Sequence, residues 1–106
     1  MRVKDVMTRN VECVSPDDTV QAAARKMRDL DVGPLPVCDR DRLAGMVTDR
    51  DITVRATADG KDPTRCPVRD VMTPDVVYCF EDQDVKDAAD TMAARQIRRL
   101  LVLDRD

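Results

Sequence analysis

VKDVMT at residues 3–8 returns as VRDVMT at residues 68–73, an offset of 65. Held at that offset without a gap, the match runs outward along the chain. Val11 falls on Val76, Asp17 on Asp82, Val20 on Val85, Ala23 and Ala24 on Ala88 and Ala89, and Met27 on Met92. Leu35, Val37, Asp39, Arg40 and Asp41 fall on Leu100, Val102, Asp104, Arg105 and Asp106. Sixteen of the 41 superposed positions are identical, far above what one fixed offset yields by chance, so the chain is a tandem duplication.

The repeat has a readable order. VECV at 11–14 is a short strand candidate, and SPDDT at 15–19 places proline and polar caps ahead of a helix. Val20, Ala23, Ala24, Met27 and Leu30 recur at helical spacing and mark one buried face. Gly33 and Pro34 are expected to end that helix. Leu35 to Cys38 and Leu43 to Val47 are apolar runs on either side of DRDR, a hairpin pattern with a solvated turn. Thr48 opens a second helix whose apolar positions Ile52, Val54 and Ala56 are less regular. Each repeat is therefore strand, helix, strand, strand, helix.

TADGKDPTRCP at 57–67 has Gly60, Pro63 and Pro67 and no apolar period, which marks a linker. The expected division is repeat 1 at 1–56, linker at 57–67 and repeat 2 at 68–106. Repeat 2 carries a strand at 76–79, a helix at 85–95 and a strand at 99–103, then stops in the turn. The counterparts of Leu43 to Val47, Thr48 and Asp51 would lie near 108–116, so its last strand and helix are lacking. Either the natural chain continues or another copy supplies those pieces.

Composition narrows the function. Hydrophobic residues at 42% and charged residues at 37% fit a folded chain with a charged surface rather than a disordered one. Tyr78 and Phe80 are the aromatics, so the core is aliphatic and no platform stacks a nucleobase. A net charge of −3 provides no field for nucleic acid or an anionic membrane, and no apolar run approaches the roughly 20 residues of a membrane span. The expectation is a cytoplasmic protein with no DNA or membrane partner. Cys13, Cys38, Cys66 and Cys79 form no CxxC pair and there is no histidine, which argues against a metal site and for thiols packed as small hydrophobes. Cys66, beside Pro67, is the one expected to be exposed. With no histidine, nucleophile elbow or glycine-rich phosphate loop, catalysis is not expected.

GMVTDRD at 45–51 carries the most chemistry. Thr48 and Asp51 have the spacing of a helix capping box. The same groups suit a ligand: a carboxylate accepts from two vicinal hydroxyls, a helix start presents N–H groups to phosphate, and Arg50 adds charge.

Together, VxDVMTxxVxxV in two copies, the helix exits VGPLPVCD and IRRLLVLD, and GMVTDRDI resemble the CBS (cystathionine β-synthase) domain over essentially the whole chain. Two CBS domains in tandem form a Bateman module, and the chain is similar in kind to small stand-alone bacterial two-CBS proteins. The resemblance implies an α+β fold of two β-α-β-β-α repeats about a pseudo-twofold axis, often a homodimer through the CBS helices. It implies a regulatory role, with AMP, ADP, ATP or S-adenosylmethionine bound between the repeats and no required cofactor.

Carried over by position, one nucleotide cleft would use Thr48 and Asp51 with Arg50, Pro34 and Met46 from repeat 1, and Thr73, Val77, Ile97 and Arg98 from repeat 2. Asp51 would hold the ribose hydroxyls, Thr48 the phosphate, and Arg98 would face phosphate. The opposite cleft would draw on Thr8, Glu12, Val32, Gly33 and Arg99 and lack its own Thr-x-x-Asp. The rival expectation is a purely structural interaction and dimerisation module with no ligand.

Overall fold

A computed structural model of the chain describes residues 1–7, 12–74, 76–97 and 100–103. The chain divides into two compact units, one made of Val11–Asp75 and the other of Met1–Asn10 with Val76–Asp106.

In the unit Val11–Asp75, helix α1 (Val20–Leu30) begins where the Thr19 side chain accepts from the Ala22 N–H at 3.1 Å. It buries Val20, Ala23 and Met27, the stripe expected from their spacing. The helix stops earlier than Gly33 and Pro34, at Asp31, which takes the left-handed conformation (φ 55°) while Val32 N–H reaches back to the Met27 carbonyl at 3.0 Å. Aspartate tolerates that conformation better than most residues with a Cβ. Strands β1 (Pro34–Asp39) and β2 (Arg42–Thr48) pair antiparallel, joined by Arg40 and Asp41, both at positive φ, as a two-residue hairpin matched to strand twist requires. The segment expected as a strand at 11–14 contributes a single parallel bridge from Val14 to Val37, and Val11 lies outside the described residues. Helix α2 (Asp49–Ile52) passes into a π-helical stretch at Thr53–Thr57, which accounts for the irregular apolar spacing: Ala56 is buried, Ile52 packs on the core and Val54 stays exposed.

In the other unit, β3 (Tyr78–Phe80) pairs parallel with β4 (Leu101–Leu103), and α3 (Val85–Arg95) lies between them in sequence. The strand expected at 76–79 starts at Tyr78, because its partner β4 is only three residues long. The 65-residue offset recurs in backbone detail. α3 covers the positions of α1, Asp84 caps it as Thr19 caps α1, and Gln96 (φ 55°) ends it as Asp31 does.

The two VxDVM segments are exchanged. Each forms a short 3-10 turn, Val3–Asp5 and Val68–Asp70. Val68 N–H donates to the Asp18 carbonyl at 2.8 Å, Arg69 N–H to Pro16 at 3.1 Å, and Val20 N–H to Cys66 at 2.9 Å. Sixty-five residues displaced, Val3 N–H donates to Gln83 at 2.9 Å, Lys4 N–H to Glu81 at 3.0 Å, and Val85 N–H to Met1 at 3.0 Å. The segment that begins repeat 2 thus completes the unit holding α1, and the start of the chain completes the unit holding α3.

The linker does structural work on the way. Gln21 N–H donates to the Pro63 carbonyl at 3.1 Å, and Cys66 is buried, with its Sγ donating to the Pro67 carbonyl at 3.7 Å. The expectation that Cys66 is exposed is therefore corrected: the chain must press against the start of α1 for Val68 to reach the core. That core comprises Val14, Val20, Ala23, Met27, Leu35, Val37, Val47, Ala56, Cys66, Val68 and Val71. The other unit has a smaller one around Val3, Cys79 and Ala88, flanked by Met7, Leu100 and Val102. Burial pushes the Cys79 thiol above its ordinary range, since the charged form is disfavoured away from water.

Candidate functional site

The hairpin register organises the candidate residues. Pro34 is paired with Thr48, Pro36 with Met46, and Leu35 with Val47. Side chains two apart share a face, so Leu35, Val37 and Val47 take the core side while Pro34, Met46 and Thr48 take the other. Thr73 joins that second face. Its N–H donates to the Met46 carbonyl at 2.8 Å and its carbonyl accepts from Met46 N–H at 2.9 Å, an antiparallel bridge that points opposed side chains the same way. Gly45 makes this approach possible, since a Cβ there would stand 2.5 Å from the Thr73 carbonyl oxygen.

At the end of β2 the chain turns into α2 through a capping box. Thr48 Oγ1 accepts from Asp51 N–H at 3.1 Å, and Thr48 N–H donates to Asp51 Oδ2 at 3.0 Å. The other leading amides are also committed: Asp49 N–H to the Gly33 carbonyl at 3.0 Å, and Arg50 N–H to Asp49 Oδ1 at 2.9 Å. The free N–H groups expected at this helix start are thus taken by Thr48, Gly33 and Asp49, and the cap is formed as spacing alone suggested. What stays chemically available is the Thr48 hydroxyl hydrogen, which can donate while its oxygen accepts, and the remaining acceptor capacity of the Asp51 carboxylate. Both residues are half-buried, while Arg50 and Thr73 are exposed.

The structure therefore brings Pro34, Met46, Thr48 and Thr73 to one face, with Asp51 and Arg50 on the adjoining helical turn. Val77 and Ile97 are half-buried in the other unit, and Arg98 lies outside the described residues. Of the second expected set, Gly33 accepts from Asp49, Val32 and Glu12 are exposed, and Thr8 and Arg99 lie outside the described residues. One positioning residue had no signal in the sequence. Arg55 Nη1, on the π-helical stretch, donates to the Val71 and Met72 carbonyls at 3.2 and 3.4 Å and ties the segment carrying Thr73 to the helix that follows Asp51. Its partners are carbonyls, which carry no residue signature.

Among the described residues there is no group of three His, Cys, Asp or Glu placed to hold a metal ion, and no helix is long and apolar enough to cross a membrane.

Comparison with known proteins agrees with the repeat. The CBS domain family matches residues 3–56 and 68–106. The CBS domain-containing protein YhcV of Bacillus subtilis is 44% identical over 104 residues, 98% of this chain and 74% of that protein. Hypoxic response protein 1 of Mycobacterium tuberculosis is 37% identical over 94% of this chain and 71% of its own length. A crystal structure of Hypoxic Response Protein I with two coordinated zinc ions superposes with a TM-score of 0.86, at 35% identity over 99% of this chain and 86% of that one. Two more distant structures share the fold. One is a CBS domain pair in complex with 5′-methylthioadenosine and S-adenosyl-L-methionine (TM-score 0.84, 24% identity, 99% of this chain and 82% of that one). The other is a CBS domain protein from Pyrobaculum aerophilum complexed with AMP (TM-score 0.83, 22% identity, 99% of this chain and 80% of that one).

Proposed function

The chain belongs to the CBS-domain family, and from that premise we propose that it is a regulatory, non-catalytic module whose ligand is an adenosine nucleotide: AMP, ADP, ATP or S-adenosylmethionine. The observation that best supports this reading is the common face of Pro34, Met46, Thr48 and Thr73 beside the Asp51 carboxylate. In this reading Asp51 accepts from the ribose hydroxyls with the capacity its cap leaves over, and Thr48 donates its hydroxyl hydrogen to a phosphate or sugar oxygen. Pro34 and Met46 press aliphatic surface on the base, which suits a chain poor in aromatics. Because the first three amides of α2 are committed internally, phosphate contacts from this unit fall to Thr48, Thr73 and Arg50. Val77, Ile97 and Arg98 are enlisted from the repeat register and the family resemblance alone. The adenosine compounds named in the two more distant structures support the class of ligand.

Titration calorimetry of AMP, ATP and S-adenosylmethionine against the wild type and Asp51→Ala tests it, with circular dichroism to verify folding. A hydrogen bond to a charged group contributes about 1.5–3 kcal/mol, so affinity should fall roughly tenfold to a hundredfold in the variant. Absence of binding by all three compounds, or equal affinity in the folded variant, overturns the proposal. The second reading, an interaction and homodimerisation module without a ligand, is favoured by the exposed apolar side chains of Leu30, Val32 and Val54. It expects Asp51→Ala to leave self-association and partner binding unchanged and Leu30→Glu with Val54→Glu to abolish them.

A further inference from the structure

Cys38 lies on β1 of the unit Val11–Asp75, and Cys13 lies beside it on the segment that the Val14–Val37 bridge joins to that strand. Val14 N–H donates to the Pro36 carbonyl at 3.0 Å and Cys38 N–H donates to the Val14 carbonyl at 2.8 Å, which locks the two segments side by side. Val14 and Val37, directly paired, are both buried, so the pleat turns the residues beside them, Cys13 and Cys38, to the opposite face. There Cys13 flanks Pro36 and Cys38 lies two residues further along the same face, near enough for the Cys13 thiol to help raise Cys38. Cys13 is exposed and Cys38 half-buried, whereas Cys66 and Cys79 are buried. Lys26 Nζ donates to the Cys13 carbonyl at 3.0 Å, which ties this segment to α1. The positions 65 residues on are Tyr78 and Leu103, so the duplication does not repeat the pair.

We propose that Cys13 and Cys38 are a redox-modification site at which a peroxide closes a reversible intrachain disulfide. The Cys13 thiolate attacks one peroxide oxygen, the O–O bond breaks, and the departing hydroxide takes a proton and leaves as water, so that Cys13 becomes a sulfenic acid. The Cys38 sulfur then attacks the Cys13 sulfur and the S–O bond breaks. The leaving hydroxide takes the Cys38 proton as a second water. Two thiols are oxidised by two electrons in all, and one peroxide is reduced to two waters. A dithiol reverses the step by exchange.

The division of labour follows from the surroundings. Cys13 is exposed and Cys38 half-buried, so the peroxide reaches Cys13 first, while burial, the Cys13 thiol and Asp41 together push Cys38 up to about 12. The bond staples residues 12–14, which meet β1 through the Val14 bridge, to that strand.

The test uses the whole chain, fully reduced and then exposed to a small molar excess of hydrogen peroxide, alkylated, digested and weighed. Two of the four thiols should be lost with a mass decrease of two hydrogens, a peptide joining Cys13 to Cys38 should appear, and dithiothreitol should restore all four. Cys13→Ser and Cys38→Ser should each abolish the linked peptide, while Cys66→Ser should leave it intact. Continued protection of Cys66 and Cys79 from alkylation verifies that the variants are folded. Four free thiols after oxidation, a bond involving Cys66 or Cys79, or cross-linking between chains without the internal peptide overturns the proposal.

Discussion

Replacing Gly45 with alanine probes the contact on which the candidate face depends. The added Cβ would stand 2.5 Å from the Thr73 carbonyl oxygen and 3.3 Å from both the Met72 sulfur and the Pro74 Cα. The nearest of these is a backbone atom, fixed by the paired hydrogen bonds of 2.9 and 2.8 Å between Met46 and Thr73, so it cannot swing aside as a side chain would. Forcing an extra carbon into such a site costs about 1–3 kcal/mol, and each backbone hydrogen bond lost adds roughly 0.5–1.5 kcal/mol. With both bonds lost the expected destabilisation is roughly 2–6 kcal/mol, a fall in melting temperature of at least about 8 °C for a domain of this size. Gly33→Ala is the matched control. Its Cβ would meet the Asp49 Oδ1 atom at 3.2 Å, the end of an exposed side chain held by one hydrogen bond from Arg50 N–H, which can shift by a few tenths of an ångström, and the loss should stay within about 1 kcal/mol. Urea unfolding of the three proteins, followed by circular dichroism, gives the comparison. If Gly45→Ala is no less stable than Gly33→Ala, the segment at 72–74 does not run against β2 and the shared face of Met46 and Thr73 is refuted.

Three further outcomes follow from the same geometry. Thr48→Ala removes the acceptor for Asp51 N–H and should lower unfolding stability by about 0.5–2 kcal/mol, whereas Thr48→Ser keeps the cap and should lie nearer the wild type. Arg55→Met keeps the apolar stem but loses the donors to the Val71 and Met72 carbonyls; hydrogen exchange at Thr73 N–H should accelerate, and equal rates in variant and wild type would contradict the link. Cys38 is raised from 9.0 to about 12 in the folded chain, so folding favours its protonated form. Its contribution is complete below pH 9 and is lost as the pH rises toward 12, and the alkaline decline of stability should be shallower in Cys38→Ala than in the wild type.

Local patterns carried far in this sequence where one rule acted alone. The stripe Val20, Ala23, Met27 and the polar caps of SPDDT placed the start and the buried face of α1, and the offset of 65 then placed α3 without separate argument. Patterns lost force where a distant segment decided the outcome. Cys66 reads as an exposed linker thiol until Val68 is seen to insert beneath α1, drawing Cys66 into the core. The first helix ends on Asp31 because its amide and that of Val32 close back on Met27 and Arg28, and the following glycine, though the more obvious stop, was not needed. At the candidate site, Thr48 and Asp51 were legible as a cap and as ligand groups alike. Only the geometry reveals that Gly33 and Asp49 consume the neighbouring amides.

The exchange of the two VxDVM segments has a consequence for the order in which the chain is made. Residues 11–75 are contiguous, so a ribosome releases everything that unit needs in one stretch. The other unit is discontinuous: Val3 and Lys4 precede that stretch but bond to Gln83 and Glu81, which follow it. The earlier segment must wait while the contiguous unit folds behind it. Its pairing closes a loop of nearly eighty residues late in synthesis, a slow, non-local step. Deleting the first seven residues should therefore injure the fold around α3, at the far end of the sequence, and spare the fold around α1 beside the cut.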